Sequence, residues 1–164
     1  MERLSFVFDR FPSQEKAARM LLRLGVSVRN GKAYIGDIEL SDAAVGRAAG
    51  TDRRTARIAI EKITNDPELC RFFAGLRSIA LLADVAPHIG CSTLVIVPTN
   101  ASMPGIIADV SDVLLAAGVS IRQAVIDDPD GENVHLLIVI DGNIPAEFIP
   151  SIRQCRGVAS LILK

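Results

Sequence analysis

Arg53, Arg54, Thr55 and Arg57 follow a Gly50-Thr51 pair and lead into a run of apolar residues at helical spacing. Such a group suits nucleic-acid chemistry, because an α-helix fits the major groove and a guanidinium binds guanine edges or phosphates bidentately. The same stretch also reads as a helical hairpin with solvated arginines, in which Arg57 and Glu61 form an ordinary i,i+4 pair. Residues 41 to 64 hold five basic and three acidic side chains, a net of +2. That is thin for a phosphate-binding surface, although a dimer doubles it.

A second group is the loop TNASMPG, residues 99 to 105, placed between an expected strand and an expected helix. Helix N-termini favour anions, and a glycine lets a carboxylate approach the backbone. Asn100, Ser102 and the amides around Gly105, with Met103 in the same loop, therefore form a candidate amino-acid site. On the alternative reading, Pro104 and Gly105 only shape a strand-to-helix turn. DDPDGEN, residues 127 to 133, carries some oxygen ligands of a calcium loop without its full spacing, and Asp130-Gly131 is a hairpin signal. No metal is assigned there. His88 and His135 lie far apart and outside any metal-ligand or nucleophile pattern. Cys70, Cys91 and Cys155 fit neither a disulfide framework nor paired zinc ligands, and read as reduced core residues. There is no P-loop, GxGxxG, GxSxG or HExxH. No catalytic residue and no cofactor are assigned, and an enzyme is not expected.

The composition limits what can carry these groups. A chain of 164 residues admits one domain or two small ones, and buries roughly 70% of its unfolded surface. Hydrophobic residues make up 49% but aromatics only 4%, with no Trp and one Tyr, so the core must be aliphatic and its surplus suggests self-association. No run approaches the roughly 20 apolar residues of a membrane span, and MERLSFVFDRF lacks the apolar stretch of a signal peptide, so a cytoplasmic location is expected. Residues 1 to 85 carry 14 Lys+Arg against 11 Asp+Glu, whereas residues 86 to 164 carry 4 against 8. The two halves thus face different partners.

Periodicity supplies the elements. SQEKAARMLLRL, residues 13 to 24, predicts a helix with Ser13 as N-cap and Gly25 as its stop. VSVR and KAYIGDIEL flank Asn30-Gly31 and predict a small β-hairpin. Residues 41 to 63 predict helix, turn, helix, with Ser41 and Thr51 as caps, Ala56, Ile60 and Ile63 on the packed face, and Ile58 exposed. Asp66-Pro67 opens a helix that ends near Gly75, and the apolar stretch up to Gly90 reads as a packed linker. From residue 92 the order is strand, helix, strand, strand, helix, strand, which makes a four-stranded antiparallel sheet with both helices on one face. The expected class is α+β: a helix-turn-helix segment with a small hairpin over 1–76, a linker over 77–91, and a ferredoxin-like βαββαβ domain over 92–164.

TNASMPGIIADVSDVLLAAGVSIRQAVI, followed by HLLIVID and GVASLIL, resembles the ACT family of amino-acid-sensing regulatory domains over residues 92 to 164. The likeness lies in Pro104-Gly105, the helix face Ile106, Ile107, Val110, Val113 and Leu114, and Gly118-Val119-Ser120-Ile121. Members bind amino acids between paired domains, using the loop before the first helix of one and the start of the second strand of its neighbour. By that resemblance Asn100, Ser102, Gly105 and Ser120 would contact the ligand. The serine-sensing version has longer amide side chains where Ser102 and Ser120 stand here, which speaks against serine. A helix-turn-helix segment ahead of such a domain resembles prokaryotic, archaeal-type regulators of amino-acid metabolism. The resemblance implies an amino-acid-responsive regulator that is a homodimer or higher homo-oligomer through its C-terminal domain, acting through its helix-turn-helix on double-stranded DNA or, alternatively, as an adaptor subunit docked onto a metabolic enzyme.

Overall fold

The chain opens with a helix that its sequence pattern does not announce: α1, Glu2–Phe8, buries Leu4 and Phe8 one turn apart. The computed structural model describes residues 2–100, 102–127 and 134–164. The chain separates into two compact units, Met1–Ala80 and Leu81–Lys164.

In the first unit α2 spans Pro12–Arg23. Its first helical residue is Pro12, whose missing N–H costs nothing there, and the N-cap is Phe11, so Ser13 falls inside the first turn and does not cap. Gly25 stops the helix at φ 62°, as its position predicts. Strands β1, Ser27–Arg29, and β2, Lys32–Ile35, turn at Asn30 (φ 51°) and Gly31 (φ 71°). The segment KAYIGDIEL, read above as one strand, breaks at Gly36 (φ 59°), and β3, Ile38–Leu40, folds back on β2. The expected hairpin is therefore a three-stranded antiparallel meander in the order β1-β2-β3.

Helix α3, Asp42–Ala49, is capped by Ser41, whose hydroxyl accepts the Ala44 N–H at 3.2 Å, and ends at Gly50 with φ 63°. Helix α4, Arg53–Asn65, begins one residue later than expected. Its cap is Asp52, not Thr51: the Thr51 N–H is already given to the Gly46 carbonyl, so the chain is still closing α3 at that residue. Ala56, Ala59, Ile60 and Ile63 recur at i, i+3, i+4 and i+7 and are all buried, while Ile58 is half-buried rather than exposed. Helix α5, Pro67–Ala74, starts on Asp66, whose carboxylate accepts the Glu68 and Leu69 N–H groups at 3.1 and 3.0 Å. The core joins Leu4 and Phe8 to Leu21, Val28, Ile60 and Phe73.

The second unit is the expected βαββαβ fold. Strands β4 (Cys91–Pro98), β5 (Ile121–Asp127), β6 (His135–Asp141) and β7 (Val158–Leu163) form one antiparallel sheet in the order β5-β6-β4-β7. Helices α6 (Ile106–Ala116) and α7 (Ile149–Arg153) complete it, and a 3-10 turn over Ala146–Phe148 runs directly into α7. Strand residues Leu94, Ile96, Leu136, Ile138 and Ile140 pack with Val110, Leu114 and Ile152 of the helices. The opposite face, with Val95, Leu137 and Val139, packs against Ala83 and Ala86. Residues 81–90 strap that face: Leu82 N–H donates to Gln123 Oε1 at 2.8 Å and the Thr93 hydroxyl to the Ala83 carbonyl at 2.7 Å. Buried polar groups are thereby paired on both sides of the strap. Among the described residues no helix is long and apolar enough to cross a membrane.

Candidate functional site

Within the first unit, α3 and α4 cross closely at Gly46, where an added Cβ would stand 2.9 Å from the Asp52 carbonyl carbon and oxygen. That crossing fixes the first turn of α4, which carries Arg53, Arg54 and Thr55. Asp52 Oδ1 accepts the Thr55 N–H at 2.9 Å and Oδ2 its hydroxyl at 2.7 Å, and these bonds hold the Asp52 carboxyl below the usual carboxylate range. The Thr55 hydroxyl is thus engaged in the cap, with its second lone pair available as an acceptor.

The three arginines are not equivalent. Arg53 and Arg54 are exposed and make no ion pair among the described residues. Arg57 donates from Nε to Glu61 Oε1 at 2.7 Å and stands 3.5 Å from Asp42 of α3, and both carboxylates push its already high pKa upward, Glu61 first. A shallow concave patch brings Arg53 and Arg57 beside Lys32 and Glu39 of the β-meander. Lys32 Nζ is 2.8 Å from Glu39 Oε2 and is raised by that bond. Sequence reasoning missed Lys32, because nothing local in β2 tells that the meander folds beside α4. The surface is therefore an interleaved set of cations and carboxylates in which Arg53 and Arg54 are free and Arg57 and Lys32 are engaged. A phosphate meets the first two directly, and must displace carboxylates to reach the others.

In the second unit the loop before α6 is tightly organised. Asn100 Oδ1 accepts the Ser102 N–H at 2.9 Å, and the Asn100 carbonyl accepts the Met103 N–H at 3.0 Å. Gly105 is the N-cap of α6 at φ 95°, a conformation that favours glycine. Facing it is the guanidinium of Arg156, which binds Asp109 bidentately at 2.8 and 2.9 Å and holds that carboxyl below its usual range. Gly157 seats the loop: its carbonyl accepts the Thr99 N–H at 2.8 Å, and an added Cβ there would lie 2.9 Å from Ile106 and from the Met103 sulfur.

A concavity of about 490 Å3 opens at this point, with Met103, Gly105, Ile107, Ile126, Val134 and Leu136 among its walls. Of the five residues expected at a ligand site, Met103 and Gly105 line it. Asn100 and Ser102 are exposed in the loop but do not line the concavity. Ser120 lies elsewhere: its carbonyl accepts the Asp141 N–H at 3.0 Å, and Asp141 pairs with Cys91 at the start of β4, whereas the loop follows the end of β4. One copy of the chain therefore separates Ser120 from Gly105 by the length of the sheet. Ile126, Val134, Leu136 and Arg156 carried no local signal, since they lie in chain segments distant from the loop.

Cys70, Cys91 and Cys155 are free thiols, and burial pushes the Cys155 thiol up. His88 lies in the 3-10 turn Ala86–Ile89 and His135 opens β6; among the described residues no group of His, Cys, Asp and Glu could hold a metal ion. The Asp130-Gly131 turn, with most of the loop 127 to 133, lies outside the described residues.

No protein-family model matches the chain, and no curated protein does. Among solved structures the chain is similar to an AsnC family transcriptional regulator from Agrobacterium tumefaciens, at 18% identity over 93% of this chain and 86% of that one, with a TM-score of 0.30. A TM-score that low lends no weight to a functional reading, and the geometry stands on its own.

Proposed function

We propose that the chain is a ligand-responsive regulator of amino-acid metabolism, whose N-terminal unit binds double-stranded DNA through α4 and whose ACT-like C-terminal unit senses an amino acid. The observation that carries the first half is the pair Arg53 and Arg54, exposed and without an ion pair among the described residues, on a first turn that Asp52 caps and Gly46 holds against α3. An α-helix with free guanidinium groups at its N-terminal end suits major-groove docking. The second half is supported by the βαββαβ unit with a glycine-capped helix beside an arginine. On this reading the protein is a cytoplasmic homodimer joined through its C-terminal units, and it has no catalytic step. An amino acid switches it only by as much as it prefers one arrangement of the two heads.

Fluorescence anisotropy of the full chain on duplex DNA, across a salt series, tests the DNA half. Affinity should fall steeply as salt rises, and Arg53→Ala with Arg54→Ala should reduce the logarithmic salt slope by about one per arginine lost from a phosphate contact. Arg57→Ala should change it less, because Glu61 and Asp42 already balance that charge. The carboxylates Glu39, Asp42 and Asp52 interleaved with the arginines, and Glu61 paired with Arg57, favour a second reading, in which this face docks onto an enzyme as an adaptor. Binding to DNA that is absent, or indifferent to salt and to both substitutions, selects that reading.

A further inference from the structure

The free cations of the N-terminal unit do not surround α4 evenly. On the flank formed by the β-meander, Lys32 is held by Glu39 and Arg57 by Glu61 and Asp42. A second flank is formed by α2, which packs against both α3 and α4. Lys16, Arg19 and Arg23 stand at i, i+3 and i+7 along α2, positions that share one face of a helix. With Ala48 and Ala49 of α3 they line an open groove of about 440 Å3, whose one carboxylate among the described residues is Glu15.

That carboxylate is already engaged. Glu15 Oε1 accepts Nε and Nη2 of Arg19 at 2.9 and 2.7 Å, and the same Nη2 donates to the Ser5 hydroxyl at 2.9 Å. Lys16 and Arg23 are exposed and make no ion pair or side-chain hydrogen bond among the described residues. Three cations against one carboxylate give the groove a net charge of +2. Ala48 and Ala49 carry nothing beyond Cβ, so the α3 wall leaves room for a phosphodiester.

Lys16 connects this groove to the turn before α4, because its Nζ stands 3.0 Å from the Cβ position of Gly50. Arg53 and Arg54 follow Gly50 within four residues, so at most about 14 Å of chain separates them from that point. Lys16 and Arg23 are seven residues apart on one helix, about 10 Å along its axis, which matches about three phosphates of one DNA strand.

Resting on the reading of this unit as a DNA-binding head, we infer that α2 is a second contact surface for the duplex. The sugar-phosphate backbone leaves the start of α4 across Gly50 and runs along Lys16 and Arg23, not toward the meander. A phosphate at Lys16 or Arg23 displaces only solvent ions, whereas one at Lys32 or Arg57 must displace a carboxylate. The α2 flank contacts phosphates and reads no base, so it adds affinity and orientation without sequence preference.

Fluorescence anisotropy of the full chain on two unrelated duplexes, over a salt series, tests this with Lys16→Gln, Arg23→Gln and Glu15→Gln. Arg71→Gln is the control, since Arg71 is exposed on α5 and outside the groove. Glutamine forms helix about as well as the residues it replaces, and the melting temperature of each variant checks the fold. Lys16→Gln and Arg23→Gln should each lower the logarithmic salt slope by about 0.9, and the affinity at about 0.1 M salt by about eightfold, equally on both duplexes. Glu15→Gln frees Arg19 and should tighten binding, an effect that unfolding does not mimic. Arg71→Gln should leave the slope unchanged. If Arg53→Ala with Arg54→Ala weakens binding while Lys16→Gln and Arg23→Gln do no more than Arg71→Gln, the DNA reading stands and the α2 track falls. A loss confined to one duplex, or a Glu15→Gln variant that binds no more tightly, overturns the track likewise. Absence of salt-dependent binding by the parent removes the DNA reading, and this inference with it.

Discussion

Asp66 joins two elements of the N-terminal unit, and its replacement separates their contributions. The carboxylate caps α5 through the Glu68 and Leu69 N–H groups and also receives Nε of Arg3 from α1 at 3.1 Å, with its side chain only 11% exposed. Asp66→Ala removes both functions. Loss of an N-cap costs about 1 kcal/mol, which for a unit of this size lowers the melting temperature by roughly 4 to 8 °C. Asp66→Asn keeps an oxygen that caps as well as aspartate does, and loses only the charge facing Arg3. Its effect should be distinctly smaller, because Arg3 is 42% exposed and water screens the pair. Tyrosine fluorescence is the assay: the chain has one Tyr and no Trp, and Tyr34 lies on β2 with the Arg29 guanidinium 4.4 Å from its ring centre, so the signal reports the N-terminal unit alone. The pH dependence adds a second readout. The Arg3 hydrogen bond, and then the Leu69 N–H, hold the Asp66 carboxyl below its usual range. A depressed carboxylate stabilises fully above its unfolded value, near 3.9, and loses that contribution as pH falls through the folded value. The gap between parent and Asp66→Asn should therefore be constant near neutrality and close on acidification. Equal melting of Asp66→Asn and Asp66→Ala, or no shift in either, would refute the capping role.

Gly46→Ala places a Cβ 2.9 Å from the Asp52 carbonyl, and should cost about 1 to 3 kcal/mol by overpacking, read by the same Tyr34 melt. In the C-terminal unit Gly157→Ala meets Ile106 and Met103 at 2.9 Å and must also hold φ at 75°, so it should destabilise by about 1 to 3 kcal/mol and blur the amide spectra of residues 99 to 106. Lys62 Nζ is buried over the Phe11 ring at 3.1 Å without a hydrogen-bond partner among the described residues, and burial pulls its pKa down from the ordinary 10.5. Because the unfolded chain then holds the proton more tightly, stability should rise with pH from the folded value up to 10.5, and Lys62→Met should flatten that rise in denaturant melts.

Much of the fold is written locally. Asn30-Gly31 and Gly50 take the positive φ angles their residue types favour, Ser41 caps α3, and the alternating runs after residue 91 become strands in the expected order. These features depend on residues within a few positions of one another, where periodicity and capping rules act. Helix α1 was illegible because its only reason to form is the burial of Leu4 and Phe8 against other helices. The cap of α4 falls one residue beyond the one local pattern picks, because Thr51 and Asp52 are both good caps and only the closing bond of Thr51 to Gly46 decides between them.

The sites divide in the same way. Sequence by itself determined that a basic helix start and a glycine-bearing loop exist, since residue type and spacing suffice for that. Tertiary structure alone decided which arginines are free, since Arg57 meets Asp42 from another helix, and that Ser120 stands at the far end of the sheet from Gly105. It also assembled the concavity that has Met103, Ile107, Ile126, Val134 and Leu136 among its walls. Charge pairing and concavity arise between segments distant in the chain, and no local pattern encodes which distant segments will meet.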